Sequence, residues 1–527
     1  MFLDAVAAPL FLAAVSLPFV FGYTQPPSLN FWPLVASWTC GLVMALWFVR
    51  CTRSRGPVEG RLRVAGHLAA GLLLAALLGA VIGLTQYFAG DVGLSPWVQA
   101  STPGQAIGNL RQRNQQASLL SLGLWALLWL VMQIQARLDS GERRSSVRDA
   151  HLGGGRAWPA WLVGIVLAWG LTLLAVASAA TTSRTGALQW LLIAGLLVLW
   201  RTRGWTVAFG LSLAGVGLYL LSAWLLPGLL LEWTGFAADE LFTRLQGDPQ
   251  RCNSRRALWA NVLHLIAQRP WLGWGWGELD YAHYVTLFPQ TRFCVLLDNA
   301  HNLPLHLAVE LGLPAAGLLC AIVVLWVARA RPWRESDPAR QLAWGILAIV
   351  GLHSLVEFPL WYGPFQVVTV VALALLWRHP WPAWASTRAA RAAGIVAFAG
   401  IAALAAFAAW DYYRVSMLYR PAPLRPAAYQ HDTAAKVSNT VFFSDQVDFA
   451  RLSTTPLTPE TAPRLNVLAS ALLHYSPEPR VIEALIGSAE LLGKADEAAF
   501  HSLRYRIAYP AEFERWSGKR ASAAAAR

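Results

Sequence analysis

The sequence predicts an all-α fold: a polytopic membrane bundle of about eleven transmembrane helices, with one long outer loop and a C-terminal helical domain outside the membrane. Of the 527 residues, 56% are hydrophobic and only 13% are charged, whereas a soluble domain carries roughly a quarter charged residues. The apolar residues form serial runs, and runs of about 17–25 residues can cross a hydrocarbon core of about 30 Å. Arginines fall between these runs in a regular alternation.

Eleven apolar runs predict the spans, and the sixth, ninth and tenth are the shortest. Buried helices of a large soluble protein are the alternative, but so many serial runs with so few charges favour a membrane. The first run lacks a basic start and a cleavage site, so no cleavable signal peptide is expected. The runs cover residues 5–23, 31–49, 64–88, 117–135, 158–180, 186–201, 205–226, 303–328, 341–356, 362–378 and 391–410.

The arginines between the runs predict the topology. They cluster in every even-numbered gap, as cytoplasmic loops do, which places the N-terminus in the cytoplasm and the odd gaps and C-terminal tail outside. The net charge of +13 follows from this topology, and no nucleic acid partner is expected. The arginines are Arg50, Arg53, Arg55, Arg61 and Arg63, then Arg137, Arg143, Arg144, Arg148 and Arg156, then Arg201 and Arg203, then Arg329, Arg331, Arg334 and Arg340, and finally Arg378, Arg388 and Arg391.

Four regions follow from this pattern. Residues 1–226 hold seven spans and the outer loop 89–116; residues 227–302 form a large outer loop; residues 303–411 hold four spans; and residues 412–527 form the tail. Loops as long as the second are usually functional. Apolar residues at helical spacing from Arg256 to Ala267 predict a helix within it. The tail is expected to be loop or linker before Leu465, followed by helices near 463–475, 479–492 and 495–508.

Two arginine motifs lie on the predicted outer side. Arg184 stands in Ser183-Arg184-Thr185-Gly186, between the fifth and sixth spans. Arg255 and Arg256 open the loop helix, with Trp259 on the same face as Arg256. A guanidinium group can bind phosphate oxygens in pairs. The alternatives are an arginine reaching lipid head groups and a solvated helix face.

Two further polar clusters are candidates for chemistry. His301 opens the eighth span beside Asp298 and Asn302, and histidine is the most frequent general base. A structural histidine at a helix start is the alternative. His353, Glu357, Trp361 and Tyr362 lie in the short outer hairpin between the ninth and tenth spans, where ionisable residues are functional candidates.

The positions of the cysteines and the absence of some motifs exclude several classes of protein. Cys252 and Cys294 share the large outer loop, where either a disulfide or two free thiols is expected. No spacing of cysteine and histidine resembles a zinc site, and no outer loop has a carboxylate cluster for a divalent metal. No phosphate-binding loop occurs, which argues against an ATP-driven pump.

These motifs, in this order, resemble the bacterial O-oligosaccharyltransferases, also called pilin or protein glycosylation ligases, which are related to O-antigen ligases and polymerases. Phe358 is a departure, because some relatives are expected to carry Tyr there; Tyr362 is the nearest phenol. The motifs are Gln112-Arg113-Asn114, Ser183-Arg184-Thr185-Gly186, Ser254 to Trp259, Pro270 to Gly275, Asp298 to Leu303 and His353 to Trp361.

The resemblance implies a multi-pass protein of the bacterial inner membrane whose active site faces the periplasm. It implies an undecaprenyl-diphosphate-linked oligosaccharide as donor, Ser or Thr of a pilin or other periplasmic protein as acceptor, and no metal or cofactor. Arg184 and Arg256 are expected to meet the diphosphate, and His301 to act as general base. The alternatives are an O-antigen ligase, a polymerase and a lipid-linked glycan transporter. Expected substrate contacts are Gln112, Asn114, Arg255, Trp259, Asp298, Asn302, His353, Glu357, Trp361 and Tyr362, and sugar-stacking candidates are Trp259, Trp271, Trp274, Trp276 and Trp361.

Overall fold

The computed structural model describes residues 2–139, 160–200, 206–237, 252–377 and 387–525, and all regular secondary structure in these ranges is helical. The predicted all-α class is therefore confirmed. Seven of the arginines used to predict the topology lie outside the described residues, namely Arg143, Arg144, Arg148, Arg156, Arg201, Arg203 and Arg378.

Nineteen α-helices of the described residues are numbered here in chain order. The first thirteen are α1 Phe2–Val20, α2 Phe31–Arg55, α3 Pro57–Ala89, α4 Arg113–Asp139, α5 Ala160–Ala180, α6 Arg184–Trp200, α7 Val207–Thr234, α8 Arg255–Gln268, α9 Leu279–Val285, α10 Leu303–Ala330, α11 Pro338–Ser354, α12 Gly363–Leu376 and α13 Arg388–Ser416. The remaining six are α14 Thr433–Lys436, α15 Ser444–Thr454, α16 Ala462–Leu472, α17 Pro479–Leu491, α18 Ala495–Ala508 and α19 Pro510–Ala525.

The chain is a multi-pass membrane protein. Within the described residues, six helices are long and apolar enough to cross a membrane: Phe31–Arg53, Val58–Ala89, Arg113–Arg137, Val207–Thr234, Leu303–Arg334 and Ala392–Tyr419. Four shorter apolar helices also match predicted spans: Ala8–Val20, Gly164–Ala180, Arg184–Trp200 and Gly363–Leu376. Helix α11 matches the ninth predicted run but belongs to neither group, so the number eleven stays a prediction.

The described residues form two compact units that interleave along the chain. Unit 1 takes residues within 1–24, 28–247 and 327–396, and unit 2 takes residues within 25–27, 248–326 and 397–527. The four regions proposed from the sequence alone stay a prediction.

Helix α4 lies at the centre of unit 1, because small residues let its neighbours approach closely. A Cβ on Gly123 would lie 2.1 Å from the side chain of Ala76 in α3. Trp125 packs directly on Gly345 of α11, and its indole N–H donates to the Leu342 carbonyl at 3.1 Å. The polar residues at the start of α4 are thereby held at fixed positions against α6 and α11.

In unit 2, α8, α9 and the first turns of α10 share an apolar cluster that includes Leu258, Leu279 and Val309. Helix α10 is interrupted at Gly312, where φ is 83° and ψ is 163°. The first turns of the predicted eighth span therefore belong to the core of the loop, and the exposed apolar side chains of α10 begin at Leu313.

The three helices predicted in the tail are confirmed as α16 to α18. The prediction of loop or linker before Leu465 is wrong in part. Helix α15 lies there, in a stretch free of proline, with Val447 and Leu452 buried. Helix α19 follows the last predicted helix and packs Phe513 and Trp516 around Tyr505. Both helices depend on these tertiary contacts, which local sequence patterns do not reveal.

Candidate active site

The turn Ser183-Arg184-Thr185-Gly186 begins α6 in unit 1 and directs its arginine outward. The buried Ser183 hydroxyl accepts a hydrogen bond from the Gly186 N–H at 3.1 Å, which caps the helix. Thr182 before it has a left-handed backbone with φ of 49°. Arg184 follows the cap and is exposed. A cation at the positive end of a helix is unfavourable by itself, so this position suits a guanidinium that meets an anion.

Glu357 joins three helices of unit 1 through a polar network. Its carboxylate accepts hydrogen bonds from Asn114 Nδ2 at 2.6 Å and from Gln112 Nε2 at 3.4 Å. The Ser183 hydroxyl donates to Asn114 Oδ1 at 2.7 Å. Glu357 is only 2% exposed, so these bonds offset the cost of burying its charge. The structure thus brings together Gln112, Asn114 and Glu357, which the sequence proposed separately.

His353 is fully buried in α11 and bridges to two other helices. Its Nδ1 lies 2.7 Å from Ser118 Oγ in α4, and that hydroxyl accepts from Gln189 Nε2 of α6 at 2.7 Å. With no exposed surface, this imidazole is placed to hold helices together. That placement favours packing over the substrate contact proposed from the sequence.

Trp361 and Tyr362 lie in the turn before α12, around a small cleft that also contains Arg111. Arg111 donates to the Leu29 carbonyl at 2.6 Å and to the Asn30 side chain. Burial lowers the pKa of Arg111, and the Tyr362 phenol opposes that shift. The phenol of Tyr362 therefore lies near the Arg111 cation, where the two side chains could bind an anionic ligand together.

In unit 2, Ser254 caps α8 through the Ala257 N–H at 3.2 Å, so Arg255 and Arg256 occupy the first two helical positions. Arg256 is exposed and makes no hydrogen bond or ion pair with any residue the structure describes. Two cations at a helix N-terminus oppose the helix dipole. An anion bound there gains the Arg256 guanidinium and the N–H groups of the first turn.

Trp259 connects this helix to the turn that carries His301. Its indole N–H donates to the Ala300 carbonyl at 3.1 Å. The His301 N–H donates to Asn299 Oδ1 at 2.8 Å, and His301 itself has φ of 49°. The Asn302 side-chain oxygen caps α10 by accepting from the Leu305 N–H at 3.0 Å. These bonds fix a strained turn that presents a half-exposed imidazole.

Asp298 lies near this imidazole in unit 2, and Asp280 lies near Asp298. Burial raises the pKa of the Asp298 carboxyl, and the nearby charge of His301 opposes the shift. Asp280, which the sequence did not single out, is 8% exposed. Burial raises the pKa of Asp280 to about 7, and the charges of Asp298 and Glu278 add to the effect. Asp298 is therefore the carboxylate placed to orient His301, since the Asn302 oxygen is used by the helix cap.

A second histidine of the loop was missed by sequence reasoning and proves structural. His283 is buried, with Nε2 3.2 Å from Asn261 Oδ1 and Nδ1 3.1 Å from the Arg292 guanidinium. Burial and the charge of Arg292 lower the pKa of His283 well below its usual value. Its ring is neutral and fixes the fold of the loop, and no local motif marks it.

Cys252 and Cys294 form a disulfide, with Cα atoms 5.3 Å apart and a sequence separation of 42. Of the two states left open by the sequence, the structure has the bonded one. It closes the segment that holds α8 and α9 just before the Asp298 to Asn302 turn.

Three family profiles match successive parts of the chain. Residues 106–131 match a family described as protein glycosylation ligase, residues 169–320 match O-antigen ligase, and residues 341–524 match the C-terminal part of a virulence factor membrane-bound polymerase. These matches support an assignment of the chain to the O-antigen ligase superfamily. The O-antigen ligase match contains Arg184, Arg256 and His301, and the glycosylation ligase match contains Gln112 and Asn114. The resemblance predicted from the motifs is confirmed.

The chain is similar to the general O-oligosaccharyltransferase of Acinetobacter baylyi. The two are 27% identical over 124 residues, which is 24% of this chain and 22% of the relative. No solved structure matches the chain.

Proposed function

We propose that the protein is an O-oligosaccharyltransferase that moves a glycan en bloc from a lipid diphosphate to a serine or threonine hydroxyl of another protein. One observation carries this proposal. In unit 2, the cationic start of α8 is tied through Trp259 to the turn that presents His301, within the segment that matches O-antigen ligase. That arrangement provides an anion site and a base from one folded loop.

The cations act on the leaving group. As the bond between the anomeric carbon and the diphosphate oxygen breaks, negative charge develops on the lipid diphosphate, which departs with the electron pair. Arg256 binds this diphosphate in the mechanism proposed here, and Arg184 supplies the second cation. Preorganised donors of this kind stabilise a developing anion strongly where water is excluded.

The base acts on the acceptor. His301 accepts the proton of the attacking hydroxyl, and general base catalysis of this kind contributes about 10²–10⁴-fold. Asp298 stabilises the imidazolium that forms and restrains its orientation, as a carboxylate partner does in other histidine bases. One displacement inverts the anomeric carbon, and no step requires a metal or cofactor.

The relatives support the class of donor and acceptor proposed here. The proposed donor is an undecaprenyl-diphosphate-linked oligosaccharide at the periplasmic face of the bacterial inner membrane. A protein acceptor, such as a pilin, is favoured because the named relative is a general O-oligosaccharyltransferase and residues 106–131 match protein glycosylation ligases. A lipopolysaccharide O-antigen ligase is the second candidate, because residues 169–320 match that family. Its acceptor would be lipid A-core.

Deletion and complementation in the native host test the proposal. We expect the deletion strain to lose its glycoprotein bands and to keep its lipopolysaccharide ladder. The wild type and His431→Asn should restore the glycoprotein bands, and His301→Asn should not. His431 is an exposed tail histidine outside the proposed site. Unchanged glycoproteins with a lost ladder would move the assignment to O-antigen ligase.

A further inference from the structure

Unit 2 contains an open groove away from the His301 turn. It lies between the segment 268–287 and helix α18, with a volume of about 440 Å³. Ligand sites of proteins usually measure about 300–1,000 Å³. The groove contains Val285 and Phe500 as apolar surface, and Arg269 and Arg504 as charged surface.

Both arginines are held on aromatic rings. The Arg269 guanidinium lies 4.1 Å from the ring centre of Trp274, and the Arg504 guanidinium lies 3.2 Å from that of Phe500. Arg504 Nε also donates to the Val285 carbonyl at 2.7 Å. Arg504 Nη1 donates to the Phe500 carbonyl at 3.1 Å, so part of the Arg504 edge is occupied, whereas the Arg269 guanidinium makes no hydrogen bond or ion pair with a described residue. A stacked guanidinium group binds a carboxylate through its remaining N–H groups.

The two charges of the groove are not neutralised by the described part of the protein. No Asp or Glu lines the groove, and neither Arg269 nor Arg504 forms an ion pair with a described residue. The nearby carboxylate of Glu278 is bound to His474 at 2.8 Å. A ligand with negative charge therefore complements the groove.

The aromatic rings of the groove are poorly placed to bind a sugar. A guanidinium covers one face of Trp274, and its indole N–H donates to the Leu265 carbonyl at 3.0 Å. The ring of Tyr281 is stacked on His474, with 3.9 Å between ring centres. One face of each ring is thus occupied, which disfavours a sugar, while the remaining guanidinium N–H groups and the apolar surface suit acidic and apolar side chains.

We propose that this groove binds a short acidic, partly apolar segment of a polypeptide. If the proposed function holds, that polypeptide is the acceptor protein, and the groove docks it at a distance from its modified hydroxyl. The tail then has two roles: it braces the loop, since Tyr284 of α9 packs in the tail core, and it selects the acceptor.

Peptide binding tests the groove without relying on transfer. The probe is a fluorescein-labelled peptide with a central serine, four glutamates and two leucines, and the reference peptide has glutamine in place of glutamate. Fluorescence anisotropy is measured on the purified full-length protein in detergent. We expect the acidic peptide to bind at least about tenfold more tightly, and salt to weaken this preference.

Two double variants with the same charge change locate the site. Arg269→Glu/Arg504→Glu should abolish the preference for the acidic peptide. Arg480→Glu/Arg506→Glu should keep it, because these two arginines are exposed outside the groove, one of them on the same helix as Arg504. Equal thermal unfolding of both variants excludes a folding defect. Three results would overturn the proposal. The two peptides could bind equally, or the control variant could lose the preference. A galacturonate trimer could also displace the labelled peptide at a lower concentration than the unlabelled peptide does.

A second readout separates this inference from the proposed function. In a transfer assay, the groove variant should raise KM for the acceptor at least about tenfold while kcat and the KM for the donor stay unchanged. Peptide binding without any transfer would support the groove and contradict the proposed function. Transfer with no change in acceptor KM would contradict the groove alone.

Discussion

At the scale of the residue, His301 has a left-handed backbone that histidine seldom adopts, with φ of 49°. Its N–H is held by Asn299, and Asn302 next to it caps α10. The cost of such a conformation is about 1–3 kcal/mol, and it persists where surrounding contacts require it. Asparagine tolerates this backbone better than alanine does. His301→Asn is therefore the cleaner test of the imidazole, because it removes the base and preserves the turn.

The cluster of Asp298, His301 and Asn302 was predictable, because its members are adjacent in the sequence. The contacts of Glu357 with Gln112 and Asn114 were not, because more than 240 residues separate the partners. Asp280 could not be recognised either, since its burial arises only when α9 packs into the loop. Sequence reasoning found residue types and short clusters but not the long-range contacts that decide their protonation.

Asp280 should make the stability of unit 2 depend on pH. Its carboxyl has a usual pKa of 3.8, which burial raises to about 7 in the folded protein. The folded state thus binds this proton more tightly than the unfolded state, so the stability that this carboxyl contributes is fully present below pH 4 and is lost as pH rises to about 7. At pH 8, Asp280→Asn should raise the free energy of unfolding by on the order of a few kcal/mol, and the melting temperature with it. At pH 4 it should leave both nearly unchanged.

Thermal unfolding of the purified protein at the two pH values measures this effect. Asp496→Asn is the control, because Asp496 is exposed on α18. An equal effect of Asp280→Asn at pH 4 and pH 8 would contradict the account.

At the scale of the element, most helices were predictable and their interruptions were not. Apolar runs located the spans, and helical spacing located α8, because both signals are local. The break of α10 at Gly312 was missed. It depends on the segment from Trp271 to Gly275, whose Trp274 and Gly275 N–H groups donate to the carbonyls of Val309 and Glu310 at 2.9 and 3.0 Å.

Gly312→Ala should destabilise unit 2. A Cβ at this position would lie 2.1 Å from the Trp271 carbonyl oxygen, and φ of 83° is strained for alanine. We expect a loss of at least about 1–3 kcal/mol. Gly317→Ala, in the same helix and with open space around it, should be neutral or slightly stabilising. Thermal unfolding compares the two, and equal effects would show that the break at Gly312 is not required.

The contact between Asn114 and Glu357 should tolerate an exchange of charge. Asn114→Asp places two carboxylates at hydrogen-bond distance, and Glu357→Gln removes the acceptor charge, so each single variant should lose stability and transfer activity. In the double variant, the amide introduced at position 357 can donate to the carboxylate introduced at position 114, while Ser183 still donates to that carboxylate. We expect a favourable coupling of about 1–3 kcal/mol in a double-mutant cycle of thermal unfolding. Additive losses would contradict the network.

At the scale of the whole molecule, the pattern of arginines predicts that the large loop and the tail lie on one side of the membrane. The structure shows helices at all eleven predicted runs and packs the loop with the tail in unit 2. Arg184 belongs to unit 1, and Arg256 and His301 belong to unit 2. The central claim is that these groups act in one reaction, the transfer of a glycan from a lipid diphosphate to a protein hydroxyl.

Transfer by the purified protein tests that claim most directly. The assay contains detergent, EDTA, a lipid-linked oligosaccharide and a pilin-like acceptor, with wild type, His301→Asn and His431→Asn compared. The account predicts glycosylated acceptor with wild type and His431→Asn, and transfer lower by at least about 100-fold with His301→Asn. Equal transfer by His301→Asn, or transfer only to lipid A-core, would contradict it.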